Sequence, residues 1–184
     1  MDNKTERVLA GLKDKKVGIF VDDSNLYHAY QKYGWRIDFR KLRTLFEKHC
    51  QLEFINYYIA IPEKSDQDYK RVQNFIKHIE SVLTLKQKPL KYIHFGGRII
   101  RKGDVDIEIV LDVVRNIENL DVVIIMSGDS DFLELKNYAV FDKKKHILFV
   151  GYEENMAWEL RRSWHLYINR IRDTISLNQK KPQV

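Results

Sequence analysis

Two apolar runs in this sequence stop at acids. Val17-Gly-Ile-Phe-Val21 leads into Asp22-Asp23-Ser24-Asn25, and Val122-Val-Ile-Ile-Met126 leads into Ser127-Gly128-Asp129-Ser130-Asp131. Asp, Ser and Asn favour helix N-caps, so either run alone reads as ordinary capping. Two acidic runs at the carboxyl edge of one sheet carry more meaning, because ligands of open α/β sheets bind there. Crowded carboxylates also raise one another's pKa unless a cation or proton sits between them. Oxygen ligands with several carboxylates select a hard cation, Mg²⁺ or Mn²⁺, over zinc. Such an ion suits phosphodiester chemistry, since it lowers the pKa of bound water and neutralises charge developing on phosphoryl oxygens. Asp22 and Asp129 are the first two candidates. Asp131 and Asn25 could orient ligands or water, and Asp23 is weaker because adjacent side chains diverge.

A third acid follows from helical geometry. At about 100° per residue, Val105, Ile107, Ile109, Val110, Val113 and Ile117 share a broad arc. Asp104, Glu108 and Asp112 fall on the solvent side, whereas Asp106 lies within the apolar arc. A buried carboxylate needs a partner. It could bond the free N–H groups of its own first turn; the better account points it past the helix start towards Asp22 and Asp129. Just upstream, Arg98-Ile-Ile-Arg101-Lys102-Gly103 places three cations beside the acids, either to hold substrate phosphate or as a solvated basic turn. Lys143-Lys-Lys-His146 reads as an exposed loop. Tyr27 and Tyr30, spaced i, i+3, read first as packing, though exposed rings there could stack bases.

The elements that must position these groups alternate along the chain. Strand-length apolar runs at 17–21, 54–61, 92–95, 122–126 and 147–150 are apolar on consecutive positions, as parallel strands covered on both faces require. Helical periodicity occupies roughly 25–33, 39–49, 67–85, 105–118, 131–141 and 153–163. This pattern predicts an α/β fold, a three-layer sandwich with a mostly parallel central sheet. The 184 residues suit one domain with a core of about 15–172, a peripheral polar helix in 1–14 and a frayed tail at 178–184. Tyr57, Tyr58, Trp158 and Trp164 read as core or interface aromatics. With 44% hydrophobic residues the chain is not disordered, and its +6 net charge favours a polyanionic partner. One cysteine excludes a disulfide framework. No leader-like segment and no apolar run near the ~20 residues of a membrane span point to a soluble, cytoplasmic protein with no membrane partner.

At these residues the chain resembles the NYN domain family, in its LabA-like branch with a PIN-like nuclease fold. Phe20-Val-Asp22-Asp-Ser-Asn25-Leu is similar to the family's strand ending in Asp-Gly-x-Asn, with Asp23 in place of the usual glycine. Lys102-Gly-Asp-Val-Asp106-Ile-Glu-Ile-Val-Leu-Asp112 resembles its Lys-Gly-x-Asp segment with one residue more, so Asp104 competes with Asp106; the helical arc and the spacing to Asp112 favour Asp106. Ser127-Gly-Asp129-Ser-Asp131-Phe132 matches its third motif residue for residue, and His165 stands where an acid is common near the end. The resemblance implies a metal-dependent endoribonuclease: Asp22, Asp106 and Asp129 as ligands of Mg²⁺ or Mn²⁺, Asp131 and Asn25 assisting. Arg98, Arg101, Lys102 and Ser127 would meet the substrate, single-stranded RNA. A homodimer is open. A receiver domain is excluded because the second strand ends at Ala60-Ile-Pro62 without an acid. A Toprim-type site would need a glutamate where Asp22 stands. The competing reading is a regulatory or RNA-binding module with little or no cleavage.

Overall fold

The computed structural model describes residues 2–177; the tail expected at 178–184 lies outside them. Among the described residues, eight strands and eight α-helices alternate much as the apolar runs predict. Strands β1 (Lys16–Asp22), β2 (Gln51–Ile61), β3 (Thr84–Pro89), β6 (Val122–Met126), β7 (His146–Gly151) and β8 (His165–Tyr167) form one sheet in the order β3-β2-β1-β6-β7-β8. Every pairing in it is parallel. Helices α1 (Asn3–Ala10), α2 (Asp23–Tyr33), α3 (Phe39–Glu47), α4 (Tyr69–Ile79) and α8 (Arg172–Ile175) cover one face; α5 (Asp106–Asn116), α6 (Leu133–Asn137) and α7 (Trp158–Arg161) cover the other.

Alternation within β1 separates the two cores. Val17, Ile19 and Val21 enter one, with Leu42, Phe46 and Tyr57. Phe20 enters the other, with Tyr58, Ile109, Val113 and Phe149. Gly18 faces this second core with no side chain of its own because the Phe54 ring fills the space; a Cβ would stand 2.7 Å from that ring. Burial of both faces is what the uninterrupted apolar runs demand.

The order of the strands fixes where the acids go. From β1 the chain moves outward through β2 and β3, then returns to place β6 on the opposite flank and continues to β8. The direction of progression reverses between β1 and β6, and a crevice opens at such a switch point.

Four expectations fail. Residues 92–95 are not a core strand: β4 (Lys91–Phe95) pairs antiparallel with β5 (Arg98–Lys102) in a separate hairpin, turned by Gly96 and Gly97 at φ +56° and +75°. Its Ile93, Phe95, Ile99 and Ile100 are exposed. The helix expected over 67–85 stops at Ile79, because 84–89, polar but for Leu85 and Pro89, make the edge strand β3. The helix expected over 153–163 shrinks to α7, since Asn155 and Met156 turn back on Tyr152 and Ala157 donates its N–H to the Gly128 carbonyl. The helix expected in 1–14 is Asn3–Ala10, and this segment is not peripheral, since Leu9 and Leu12 are buried in the first core. Tyr57 and Tyr58 are core residues, whereas Trp158 is 60% exposed.

Candidate active site

Because Val21 and Met126 are partners in adjacent parallel strands, the residues that follow them emerge side by side. Asp22 is 2% exposed and caps α2: its Oδ1 accepts from the Ser24 N–H (3.0 Å), the Ser24 hydroxyl (2.7 Å) and the Asn25 N–H (3.3 Å). Its Oδ2 accepts from the Ser127 hydroxyl at 3.0 Å. Capping and clustering are therefore not alternatives at Asp22, since one oxygen faces the helix and the other the β6 loop. Ser127 Oγ also accepts the Asp129 N–H at 3.2 Å, and Asn25 Oδ1 accepts the Gly128 N–H at 3.1 Å. Two side chains thus stitch the two loops together. Gly128 must be a glycine here, because a Cβ would meet the Asn155 carbonyl oxygen at 2.6 Å and Met156 Cα at 2.9 Å.

Asp129 is exposed and accepts the Asp131 N–H on Oδ1 at 3.0 Å, starting the 3₁₀ turn Ser130–Phe132. Asp106 opens α5, whose first turn has no side-chain cap. Partial burial first, then the charges of Asp22, Asp129 and Asp104, push the Asp106 carboxyl up to about 6. Three acids from distant parts of the chain therefore share one electrostatic neighbourhood. Asp106 feels the charges of Asp22 and Asp129, while Asp104 is exposed and pairs with Lys102 at 3.3 Å.

Asp23 points the other way, as adjacent residues should. Tyr57 donates its hydroxyl to Asp23 Oδ1 at 2.5 Å, and burial pushes the Asp23 carboxyl up to about 6, with Asp22 adding to the shift. Beyond it opens a groove of about 1240 Å³ between α2 and α4, reaching from Asp23 and Ser24 past Tyr27 and Tyr30.

The expected substrate contacts fare differently. Arg101 is committed to the protein: its guanidinium binds Asp68 at 2.7 Å and Asp66 at 3.0 Å, and Tyr92 donates to the same Asp66 at 2.7 Å. It anchors the hairpin instead of facing a phosphate. Ser127 is fully buried and donates its hydroxyl to Asp22, so it positions an acid. Lys102 is exposed beside Asp104, and Arg98 sits at the hairpin turn, four residues and roughly 13 Å of strand away. Asp112, expected on the solvent side, is buried. Burial pushes its carboxyl up, but Lys86 (3.1 Å), the Tyr58 hydroxyl (2.9 Å) and Arg115 (3.3 Å) together hold it below the usual range. It ties α5 to β2 and β3. His165 bonds the Ser163 carbonyl and Lys4, a packing role away from the acids. Sequence reasoning missed Arg71, whose guanidinium lies 4.8 Å from the Tyr27 ring and whose charge acts on Asp23. No spacing in the sequence announces it.

The donor set fits a hard divalent cation, being all oxygen and mutually repelling. It is not a finished cage: among the described residues, no three acid, histidine or cysteine side chains stand close enough to hold one ion. Mg²⁺ does not need such a cage, because it keeps several waters and is commonly bound through one or two carboxylates plus substrate phosphate.

Comparison with known proteins bears on the family and the fold. Residues 16–171 match the model of the NYN domain. The chain is 31% identical over 173 residues to the low amplitude and bright protein LabA of Synechococcus elongatus, covering 91% of each. The crystal structure of a protein of unknown function from Vibrio parahaemolyticus superposes with a TM-score of 0.70 at 21% identity, over 89% of this chain and 97% of the other. Among the described residues no helix is long and apolar enough to cross a membrane.

Proposed function

The chain belongs to the NYN domain family, within the PIN-like nucleases, and on that premise we propose that it is a cytoplasmic, single-domain, Mg²⁺- or Mn²⁺-dependent endoribonuclease acting on single-stranded RNA. The observation that carries this reading is the parallel pairing of Val21 with Met126, which brings Asp22 and the Ser127–Asp129 loop out side by side at one carboxyl edge, tied by the Ser127 hydroxyl to Asp22 Oδ2 at 3.0 Å.

Asp22, Asp106 and Asp129 would hold the ion, directly or through its water shell. When bound, it supplies an acidified water and a counter-charge for the phosphoryl oxygens. The protein's own groups do the positioning. Ser127 fixes the Asp22 carboxylate through Oδ2, and Asn25 holds the Gly128 N–H so that Asp129 projects outward. Asp131, exposed beside Asp129, could orient water or the scissile phosphate.

A second reading, regulation through RNA binding without turnover, is favoured by two observations. Arg101 and Lys102, expected to grip phosphate, are paired within the protein, and the acids do not form a closed cage. The deciding experiment is cleavage of end-labelled single-stranded RNA in Mg²⁺ or Mn²⁺, with EDTA and with Asp129→Asn. Asp129 is exposed, so the substitution should leave the fold intact while cleavage falls by orders of magnitude. Wild-type rates from Asp129→Asn would refute the site. Absence of metal-dependent cleavage by the wild-type protein would leave the regulatory reading.

A further inference from the structure

We propose that the groove between α2 and α4 is a binding track for single-stranded RNA that leads the strand to the acids. The inference rests on RNA being the ligand of the acidic site. At about 1240 Å³ the groove exceeds the roughly 300–1,000 Å³ of a small-molecule pocket, which suits a segment of polymer. Its lining includes Asp23 and Ser24, directly after the buried Asp22, and Gly103, Asp104 and Val105, directly before Asp106. Tyr27 and Tyr30 also line it, one helical turn apart, about 4.5 Å along the axis of α2.

Each ring already carries a planar cation. The Arg71 guanidinium lies 4.8 Å from the Tyr27 ring and that of Arg36 lies 4.3 Å from the Tyr30 ring. Rings and guanidinium planes are the surfaces on which unpaired bases stack without sequence preference. Arg40 and Lys77 line the same groove, and both are exposed.

Charge decides between a polyanion and a protein as the occupant. The acids lining the groove are all engaged: Asp23 by Tyr57, Asp38 by the N–H groups of Arg40 and Lys41, Asp68 by Arg101 and Arg71, and Asp104 by Lys102. Among the described residues Arg36, Arg40 and Lys77 have no carboxylate partner. The groove therefore offers free positive charge and stacking surfaces on one lining. That is the layout of a single-strand track. Arg101 and Lys102, by contrast, are tied to the protein itself.

The test is binding of fluorescein-labelled single-stranded RNA to Asp129→Asn protein in EDTA, followed by anisotropy across a salt series. Adding Tyr30→Leu should weaken binding roughly 5- to 150-fold with little change in salt dependence. Adding Arg40→Ala and Lys77→Ala should reduce the log–log salt slope by about 1.4, some 0.7 for each phosphate contact of a single strand. Because Arg40 and Lys77 are exposed, that pair reports even if the tyrosine variant fails to fold. Folded variants with unchanged affinity and slope overturn the inference, including the case in which the groove receives a protein. Failure of the ribonuclease reading looks different: groove-dependent RNA binding would persist while wild-type protein in Mn²⁺ cleaves nothing.

Discussion

Neutralising Asp106 should stabilise the metal-free protein, and the effect should depend on pH in a defined direction. The Asp106 carboxyl is raised from an ordinary aspartate's 3.8 to about 6, by partial burial and by Asp22, Asp129 and Asp104. Between those values the folded protein binds more protons at this position than the unfolded chain, so stability falls as pH rises and the loss is complete above about 6. At about 1.4 kcal/mol per tenfold, the ionised form costs at most about 3 kcal/mol. Asp106 is only half-buried, and solvent screening brings this to about 1–2 kcal/mol. Asp106→Asn removes that penalty. For a chain of this size, roughly 2–4 °C per kcal/mol predicts a melting temperature about 2–8 °C above wild type at pH 7.5 in EDTA. The difference should shrink towards zero as pH falls to 4, where the wild-type carboxyl is protonated in the folded protein. Asp23, raised to about 6 chiefly by burial, titrates in both proteins and drops out of the comparison. Mg²⁺ at a hundredfold excess over its dissociation constant should stabilise wild type by about 2.7 kcal/mol and the variant by less. Scanning calorimetry at several pH values, with and without metal, measures all of this. Equal melting temperatures at pH 7.5, or a less stable variant, would refute the convergence of the three acids.

Three further substitutions test the frame around the site. Gly128→Ala must displace the backbone of Asn155 and Met156, and should cost about 1–3 kcal/mol in urea unfolding while disturbing the Ser127–Asp129 loop. Tyr58→Phe removes a hydrogen bond to the Asp112 carboxylate and should cost about 1.5–3 kcal/mol by the same measurement, with metal response unchanged. Arg101→Ala frees Asp66 and Asp68 from the hairpin, so amide exchange across 91–102 should accelerate, whereas the salt dependence of RNA binding should stay as in wild type.

Features written within one element were legible in the sequence, and those requiring two distant elements were not. Asp22 and Asp129 stand out because each ends a run whose burial on both faces is visible as unbroken apolarity. The arc that singled out Asp106 misplaced Asp112, because α5 does not bury one symmetric stripe. Its Ile107, Leu111 and Val114 are exposed, while Asp112 turns inward to Tyr58 and Lys86. The hairpin defeated the reading because Ile93, Ile99 and Ile100 have core composition but surface positions. Arg101 was misjudged because its partners Asp66 and Asp68 lie more than thirty residues earlier, in a loop without periodicity. The edge strand β3 was hidden by its mostly polar composition, since an edge needs backbone pairing on one side only.

The parallel pairing of β1 with β6 also sets a timetable. Asp22 and the Ser127 hydroxyl that holds it are 105 residues apart in the chain. A ribosome adding about 5–20 residues per second makes Asp22 roughly 5–20 s before its partner exists. Until then β1 can pair only with β2, and half of its backbone edge is open to the wrong neighbour. The nascent protein thus has no assembled acid cluster until β6 and the loop after it have been made. Whatever hydrolytic capacity the finished site has is withheld from the RNA that encodes it until most of the chain is made.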